Sequence, residues 1–582
     1  MKKKSILFLL VLLSTLTASA YDAEIDGIYY NFNTDTKQAT VTYVNDDNYN
    51  SYSGSVTIPA SVTYNDVAYS VTNIGRYAFE DCPNLKSVNI PNSVTTIGQG
   101  AFDGCSSLTE VNIPNSVTTI GNDAFSYCSS LKSVIIPNSV TKIGGGAFDS
   151  CSSLTEVTIG GGVTLLTGFS YCTSLESIII PNGVTKILGG AFDGCTSLKS
   201  VTIPNSVTTI SGFSGCTSLE SITIPNSVTE IGGFNDCTSL KSITIPNSVT
   251  KIESYAFMGS GLESITIPSS VTRIYNQTFA YCSNLKSVTI SNTGITIERA
   301  AFYECTSLTE LNLPKNVSIM SSVFKGCTGL ESVTFPEGTY IGECSFESCT
   351  GLTSINLSDG VTGINYQAFS GCTSLKSVTI PNSVKLINYS AFENCSSLEE
   401  VIIPNNLTSI DAYTFHNCTG LKSVTIPSSV TGIGTGAFKG CSGLTSVTIP
   451  NSVTAIGSGA FRDCSSLTSV TIGNGTNKIE STAFANCSRL TDVYCHAEQV
   501  PSAQSTIDDT FSNVPLSSAT LHVPEASKEA YKTTEPWSRF GSIVAIPDAS
   551  IRGDVNGDGK VDMDDVKYLV QKILKGKYPD EE

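Results

Sequence analysis

The 582-residue sequence has few charged residues, 14% of the total, and contains only 4 methionines, 3 histidines and 1 tryptophan. The histidines stand in unrelated contexts, and the sequence has no H-E-x-x-H, G-x-S-x-G or phosphate-binding glycine motif. Basic residues are also scarce, because 33 Lys and Arg face 51 Asp and Glu, a net charge of −18. A chain this acidic repels phosphate backbones, so we expect no nucleic-acid partner.

Long apolar runs are absent after the first residues. The segment "MKKKSILFLLVLLSTLTASA" has a basic start, an apolar run and small residues before Ala20. This pattern predicts a secretory signal peptide over residues 1–20. No later stretch approaches the roughly 18 apolar residues of a membrane-spanning helix. We therefore expect no membrane span after cleavage, and a secreted, extracellular or cell-surface location.

A repeated unit occupies residues 75–494. Its pattern is I-G-x-x-A-F-x-x-C-x-x-L-x-S-V-x-I-P, in about 19 copies of 21–23 residues. A period in the twenties that carries L-x-x-V-x-I indicates a leucine-rich repeat solenoid. In such a fold equivalent positions of successive coils stack into one continuous core.

The apolar positions of the repeat predict which side chains lie inside. Nineteen of the 24 phenylalanines fall at one repeat position. Strand alternation places Val201 and Ile203 inward and Ser200 and Thr202 outward. The sequence therefore predicts a β-rich solenoid with a parallel sheet on one face.

Cysteine also follows the repeat, since 18 of the 20 cysteines share one position and Ser260 replaces cysteine in one copy. We considered a buried core position, isolated disulfides and reactive or metal-bound thiols. The core position is favoured, because stacked residues have parallel Cβ directions, which suit bridges poorly. Cys344 and Cys495 lie off this position and are candidates for pairing. A serine replacing Cys195 is expected to bury a hydroxyl without a partner.

The A-F-x-x-C-x-x-L-x-S-V-x-I-P unit resembles the BspA-like leucine-rich repeat family over residues 75–494. The resemblance implies a secreted or surface-exposed bacterial protein that binds host extracellular proteins or other cells. Residues 21–74 contain alternating runs that predict an N-terminal β cap, because an open solenoid end would expose apolar side chains. Residues 495–547 depart from the repeat and predict a C-terminal cap, as in BspA-like proteins.

The last segment, residues 548–582, contains a candidate calcium loop. Calcium binds several converging oxygens from alternate positions of a 12-residue loop, with glycine at position 6 and an apolar helix after it. The sequence G-D-V-N-G-D-G-K-V-D fits these requirements, so we expect an EF-hand-like element that binds Ca²⁺. Its candidate ligands are Asp554, Asn556, Asp558, the backbone carbonyl of Lys560, Asp562 and Asp565.

The sequence of this loop also resembles a type I dockerin repeat, with Asp565 where many EF-hands have Glu. The resemblance implies a cohesin-like partner. Dockerin modules carry two such loops, whereas this sequence contains one.

Together these features predict an exported, non-catalytic adhesion protein whose repeats bind a host or microbial surface protein or a glycan, with the calcium tail for tethering or docking. The alternative is a carbohydrate-processing enzyme, or a non-catalytic subunit of a dockerin-assembled polysaccharide-degrading complex. Glu110 and Glu156 keep the enzyme alternative open, because they occupy the same outward position two coils apart. Shallow Ser/Asn/Thr surroundings favour two solvated carboxylates instead.

Overall fold

The computed structural model describes residues 21–44, 51–505 and 509–546. The chain divides into two compact units, one ending at Leu285 and the other beginning at Lys286. The predicted signal peptide and the predicted calcium loop lie outside the described residues.

In each unit the described residues form a parallel β-solenoid, with about 20 coils in all. A typical coil contains a long strand, which ends at the proline of the repeat, and a two-residue short strand further along the coil. Equivalent strands of adjacent coils pair in parallel, as when Ser133–Ile136 pairs residue for residue with Glu156–Ile159. Parallel pairing keeps equivalent residues on the same face, so the repeat builds columns of side chains.

The first unit contains strands of both kinds. Its long strands are Gly54–Thr57, Leu85–Asn89, Glu110–Asn112, Ser133–Ile136, Glu156–Ile159, Ser177–Ile179, Ser200–Thr202 and Ser264–Ile267. Its short strands are Thr96–Ile97, Thr119–Ile120, Lys142–Ile143, Leu165–Leu166, Lys186–Ile187, Thr209–Ile210, Glu230–Ile231, Lys251–Ile252 and Arg273–Ile274.

Five further strands precede or flank the first coils. They are Ala23–Ile25, Ile28–Asn33, Gln38–Thr42, Ser61–Tyr64 and Val67–Ile74. The first three pair antiparallel in sequence order. Val67–Ile74 then pairs in parallel with Gln38–Thr42 on one side and with Thr96–Ile97 on the other. These strands thus extend the sheet of short strands beyond the first coil.

The second unit repeats the arrangement. Its long strands are Ser287–Ile290, Glu310–Asn312, Ser332–Phe335, Ser354–Leu357, Ser377–Thr379, Glu400–Ile402, Ser423–Thr425, Ser446–Ile449, Ser469–Ile472, Asp492–Cys495, Thr520–Val523 and Ser542–Ala545. Its short strands are Thr296–Ile297, Ser318–Ile319, Tyr340–Ile341, Gly363–Ile364, Leu386–Ile387, Ser409–Ile410, Gly432–Ile433, Ala455–Ile456, Lys478–Ile479 and Ser502–Ala503. One α-helix, Lys528–Thr533, and the 3₁₀ helices Leu516–Ser518, Glu525–Ser527 and Trp537–Arg539 lie near its end within the described residues.

Phenylalanine forms the central column of each core. From Phe79 to Phe279 the rings stack at centroid distances of 4.9–5.9 Å. From Phe302 to Phe511 the distances are 5.1–5.7 Å. The predicted stacking is confirmed, and Phe511 continues it beyond residue 494.

The cysteine column lies beside the phenylalanines, and its thiols are buried and form no disulfide in the part of the chain that the structure describes. Thiols of the column donate to the phenylalanine carbonyl of the preceding coil, as Cys195 Sγ does to Phe169 O at 3.1 Å. Burial raises the pKa of Cys282 to about 11 and that of Cys395 to about 12. Such thiols carry little thiolate at neutral pH, so the core interpretation holds and a nucleophilic one does not.

The two cysteines outside the column are also free. Cys495 is buried, with its Sγ 3.2 Å from the hydroxyl oxygen of Tyr531. Cys344 is half-buried, and its thiol lies 3.6 Å from Oε1 of Gln367. Each thiol thus contacts a different residue.

Candidate ligand-binding surface

The outward side chains of the long strands form a continuous surface in each unit, which we call the long-strand face. In the strand Ser200–Thr202 the central Val201 is buried, while Ser200 and Thr202 are exposed, as predicted. Adjacent strands keep this register, so that Ile179 lies opposite Thr202 and Ser177 opposite Ser200. The outward side chains therefore form two parallel columns, rich in hydroxyl groups, along the coils.

In the first unit, two neighbouring grooves of this face share several residues. A groove of about 680 Å³ is bounded by the prolines that follow the strands, and one of about 450 Å³ is bounded by Ser55, Ser87 and Glu110. Asn89 and Asn112 line both grooves, and their strands pair with these two residues opposite each other. Amide groups thus stand between two depressions that are open to solvent.

Three isoleucines interrupt the hydroxyl columns. Ile135, Ile179 and Ile402 are 67%, 74% and 52% exposed at a position that is threonine in most coils. Ile135 lines the two grooves shared by Asn89 and Asn112, and Ile402 lines a groove of about 650 Å³ in the second unit. Sequence reasoning missed these residues, although S-V-I-I-P, S-I-I-I-P and E-V-I-I-P in place of S-V-T-I-P were visible signals. Exposed isoleucines beside amides offer a ligand both apolar and hydrogen-bonding contacts.

The two glutamates considered for catalysis lie on this face. Glu110 is opposite Ser87, and Glu156 is opposite Ser133. Both are exposed, so neither lies in surroundings that exclude water from a reaction. The arrangement suits ligand contact better than hydrolysis.

A polar cluster lies on the long-strand face near the end of the second unit. The rings of Tyr494 and His522 stack with centroids 4.1 Å apart. His522 Nε2 lies 3.1 Å from Asp492 Oδ1, and Thr491 donates its hydroxyl to Asp492 Oδ2 at 2.9 Å. The hydrogen bond with His522 contributes most to lowering the pKa of Asp492, and the bond from Thr491 contributes next. The carboxylate is therefore held ionised beside an aromatic pair.

The predicted metal ligands, Asp554 to Asp565, lie outside the described residues. Within the part of the chain that the structure describes, no group of three or more His, Cys, Asp or Glu side chains is arranged to hold a metal ion. In the same residues, no helix has the length and apolar character needed to cross a membrane.

The stacked coils, the phenylalanine column, the parallel strands and the L-x-S-V-x-I pattern of the repeat define a leucine-rich repeat protein. A profile described as "BspA type Leucine rich repeat region (6 copies)" matches residues 55–168, 166–233, 211–329, 317–441 and 408–534. The chain belongs to this BspA-type leucine-rich repeat family. None of the curated proteins compared with the chain matches it.

Solved structures of leucine-rich repeat proteins are also similar. One from Bacteroides ovatus is 32% identical, covering 74% of this chain and 95% of its own, with a TM-score of 0.44. A leucine-rich cell surface protein from Faecalibacterium prausnitzii is 25% identical over 81% of this chain and 94% of its own, with a TM-score of 0.25. The pneumococcal vaccine antigen PcpA is 16% identical over 90% and 98%, with a TM-score of 0.28.

Proposed function

We propose that this chain is an exported, non-catalytic adhesion protein whose long-strand face binds a protein or glycan on a host or microbial surface. The groove of about 680 Å³ around Asn89, Asn112 and Ile135 is the observation that carries the proposal. It combines amide groups with an exposed isoleucine, and ligand sites are typically concave with apolar walls and a few polar groups. Export rests on the sequence pattern of residues 1–20.

The proposal includes a calcium-dependent role for residues 548–582. The loop from Asp554 to Asp565 would bind Ca²⁺ through carboxylate, amide and carbonyl oxygens. Its place after the repeats suits tethering or docking to a cohesin-like partner, while the repeats contact the ligand. This part rests on the sequence pattern of the loop alone.

The test is a binding screen of residues 21–582 against immobilised extracellular-matrix proteins and a glycan array. Asn112→Arg places a large cation in the groove, and Thr119→Arg makes the equivalent change on a short strand nearby. We expect Asn112→Arg to weaken binding at least tenfold and Thr119→Arg to leave it within twofold.

A hydrolysis assay on soluble polysaccharides runs in parallel, with Glu110→Gln as its variant. Ligand binding that Asn112→Arg does not weaken would place the ligand elsewhere. Reproducible hydrolysis that Glu110→Gln abolishes would support the enzyme alternative.

A further inference from the structure

The short strands of the second unit present a notch between two exposed apolar side chains. The residue before the inward isoleucine is Tyr340, Gly363 and Leu386 in three successive coils, and the strands pair in register. Tyr340 is 48% and Leu386 44% exposed. A Cβ added to Gly363 would meet only backbone oxygen and Cβ of Leu386, at 3.7 and 3.9 Å. The missing side chain thus opens a space between Tyr340 and Leu386.

Three tyrosines follow short strands in successive coils, after Gly363–Ile364, Leu386–Ile387 and Ser409–Ile410. The ring of Tyr389 lies 5.6 Å from that of Tyr366 and 5.3 Å from that of Tyr413, between centroids. Tyr366 is 36% and Tyr389 41% exposed, and Tyr413 is half-buried. None of the three hydroxyls has a hydrogen-bond partner among the described residues. We call the surface formed by Tyr340, Gly363, Leu386, Tyr366, Tyr389 and Tyr413 the tyrosine–leucine patch.

The backbone beneath this patch is already paired between coils. Gln367 donates its N–H to Tyr389 O at 3.2 Å, and Tyr413 donates to Thr435 O at 2.9 Å. A peptide that adds as a strand needs free main-chain groups at a sheet edge, and these coils are internal to the stack. A ligand of the patch must therefore be recognised through side chains.

The size and charge of the patch point to a small neutral ligand. Four tyrosines and one leucine, each about half exposed or less, present roughly 400 Å², because a whole aromatic side chain buries about 150–250 Å². A standard protein interface needs about 800 Å² from each partner. Exposed Glu343 follows the short strand of Tyr340 and exposed Lys385 precedes Leu386, so charges of both signs border the patch.

We propose that the tyrosine–leucine patch binds a neutral oligosaccharide. A pyranose combines a flat C–H face with hydroxyls around its rim, and the patch offers ring faces together with unpartnered phenol hydroxyls. One sugar ring enters the notch over Gly363, between Tyr340 and Leu386. The next sugar rings contact Tyr366 and Tyr389. This site is separate from the long-strand face, so the test of this proposal does not depend on the function proposed above.

The decisive variant fills the notch without disturbing the coil. Gly363→Thr introduces the residue that occupies the same repeat position at Thr209 and Thr296. The backbone of Gly363 is outside the left-handed region, and the added Cβ makes ordinary contacts. Gly432→Thr is the matched control, because Gly432 has the same repeat position and open space around it.

Calorimetric titration of residues 21–582 with cellohexaose, xylohexaose, maltohexaose and chitohexaose measures binding. We expect at least one hexasaccharide to bind, Gly363→Thr to weaken it at least tenfold, and Gly432→Thr to leave it within twofold. Tyr389→Ala should weaken binding similarly, whereas Tyr127→Ala, which removes a 62% exposed tyrosine of the first unit, should not. Melting by circular dichroism checks that each variant is folded.

Three outcomes would overturn the proposal. The first is that no hexasaccharide binds the wild-type chain at millimolar concentration. The second is that Gly363→Thr and Gly432→Thr bind alike. The third is a concentration-dependent dimer that Gly363→Thr alone disrupts, since the patch would then be a contact between copies of the chain.

Discussion

The cysteine of the repeat forms one buried column of the core, and the properties of this residue suit that position. Cysteine is small and apolar, and its thiol still donates weakly to a buried carbonyl, as Cys195 does to Phe169 O. One position of this column carries a natural serine, and its hydroxyl has a neighbour. Ser260 Oγ lies 3.3 Å from Cys282 Sγ.

Substitution of Cys195 measures this contribution. We expect Cys195→Ser to lower the free energy of unfolding by about 1 kcal/mol, because its hydroxyl finds a neighbour. Cys195→Ala should cost about 1–2 kcal/mol, since it leaves a small cavity and removes the donor to Phe169 O. Urea unfolding of the three proteins tests the order. A serine variant clearly less stable than the alanine variant would mean that the hydroxyl is unsatisfied.

Asp103 gives one coil a pH-dependent stability. Burial, followed by the charges of Asp123 and Asp81, raises the pKa of Asp103 from 3.8 to about 6. A raised acid pKa favours the protonated folded form, so this contribution is complete below pH 3.8 and is lost as the pH rises through about 6. Asp103→Asn should therefore raise the free energy of unfolding at pH 7.5, by about 1 kcal/mol after allowing for partial exposure.

Thermal unfolding of wild type and Asp103→Asn between pH 3.5 and 8 tests this effect. The difference between the two proteins should vanish below about pH 4. A difference that is constant with pH would show that ionisation of Asp103 is not its cause.

At the scale of the element, the phenylalanine column holds the coils together. Phe192 is fully buried between Phe169 and Phe213, at ring distances of 5.9 and 5.5 Å. Phe192→Ala should cost about 3–5 kcal/mol through the lost ring and the cavity. Ile179→Ala, on the long-strand face nearby, should cost less than about 0.5 kcal/mol. Urea unfolding with hydrogen exchange compares them, and equal costs would contradict the role of the column.

The strands, the inward columns and the stacking were predictable from the repeat. Every coil has the same sequence pattern, and the parallel register follows from it. The candidate sites were harder to predict from the sequence. Ile135 and Tyr366 occupy positions that vary between coils, so a consensus of the repeat discards them. The notch at Gly363 depends on which side chains stand one coil before and after it, and that requires the register of the pairing.

At the scale of the whole molecule, several charges of the coils are paired with opposite charges, whereas the predicted calcium loop clusters charges of one sign. The described coils carry few charges, and several of these pair between neighbouring coils, as Lys199 does with Glu176 at 3.1 Å and Lys422 with Glu399 at 2.6 Å. Exposed pairs of this kind add little stability. They place opposite charges side by side on neighbouring coils, within a sequence whose net charge is −18.

The predicted calcium loop concentrates charges of one sign locally, with five aspartates among 12 residues from Asp554 to Asp565. Their repulsion disfavours a closed loop without a cation, and Ca²⁺ offsets it. We expect residues 21–582 to bind one Ca²⁺ with a dissociation constant of about 10⁻⁴–10⁻³ M, in the range of extracellular modules. Calorimetric titration measures the stoichiometry, and Asp554→Ala should abolish binding, whereas Asp103→Asn should leave it unchanged. If Asp554→Ala binds Ca²⁺ as the wild type does, the calcium assignment is wrong.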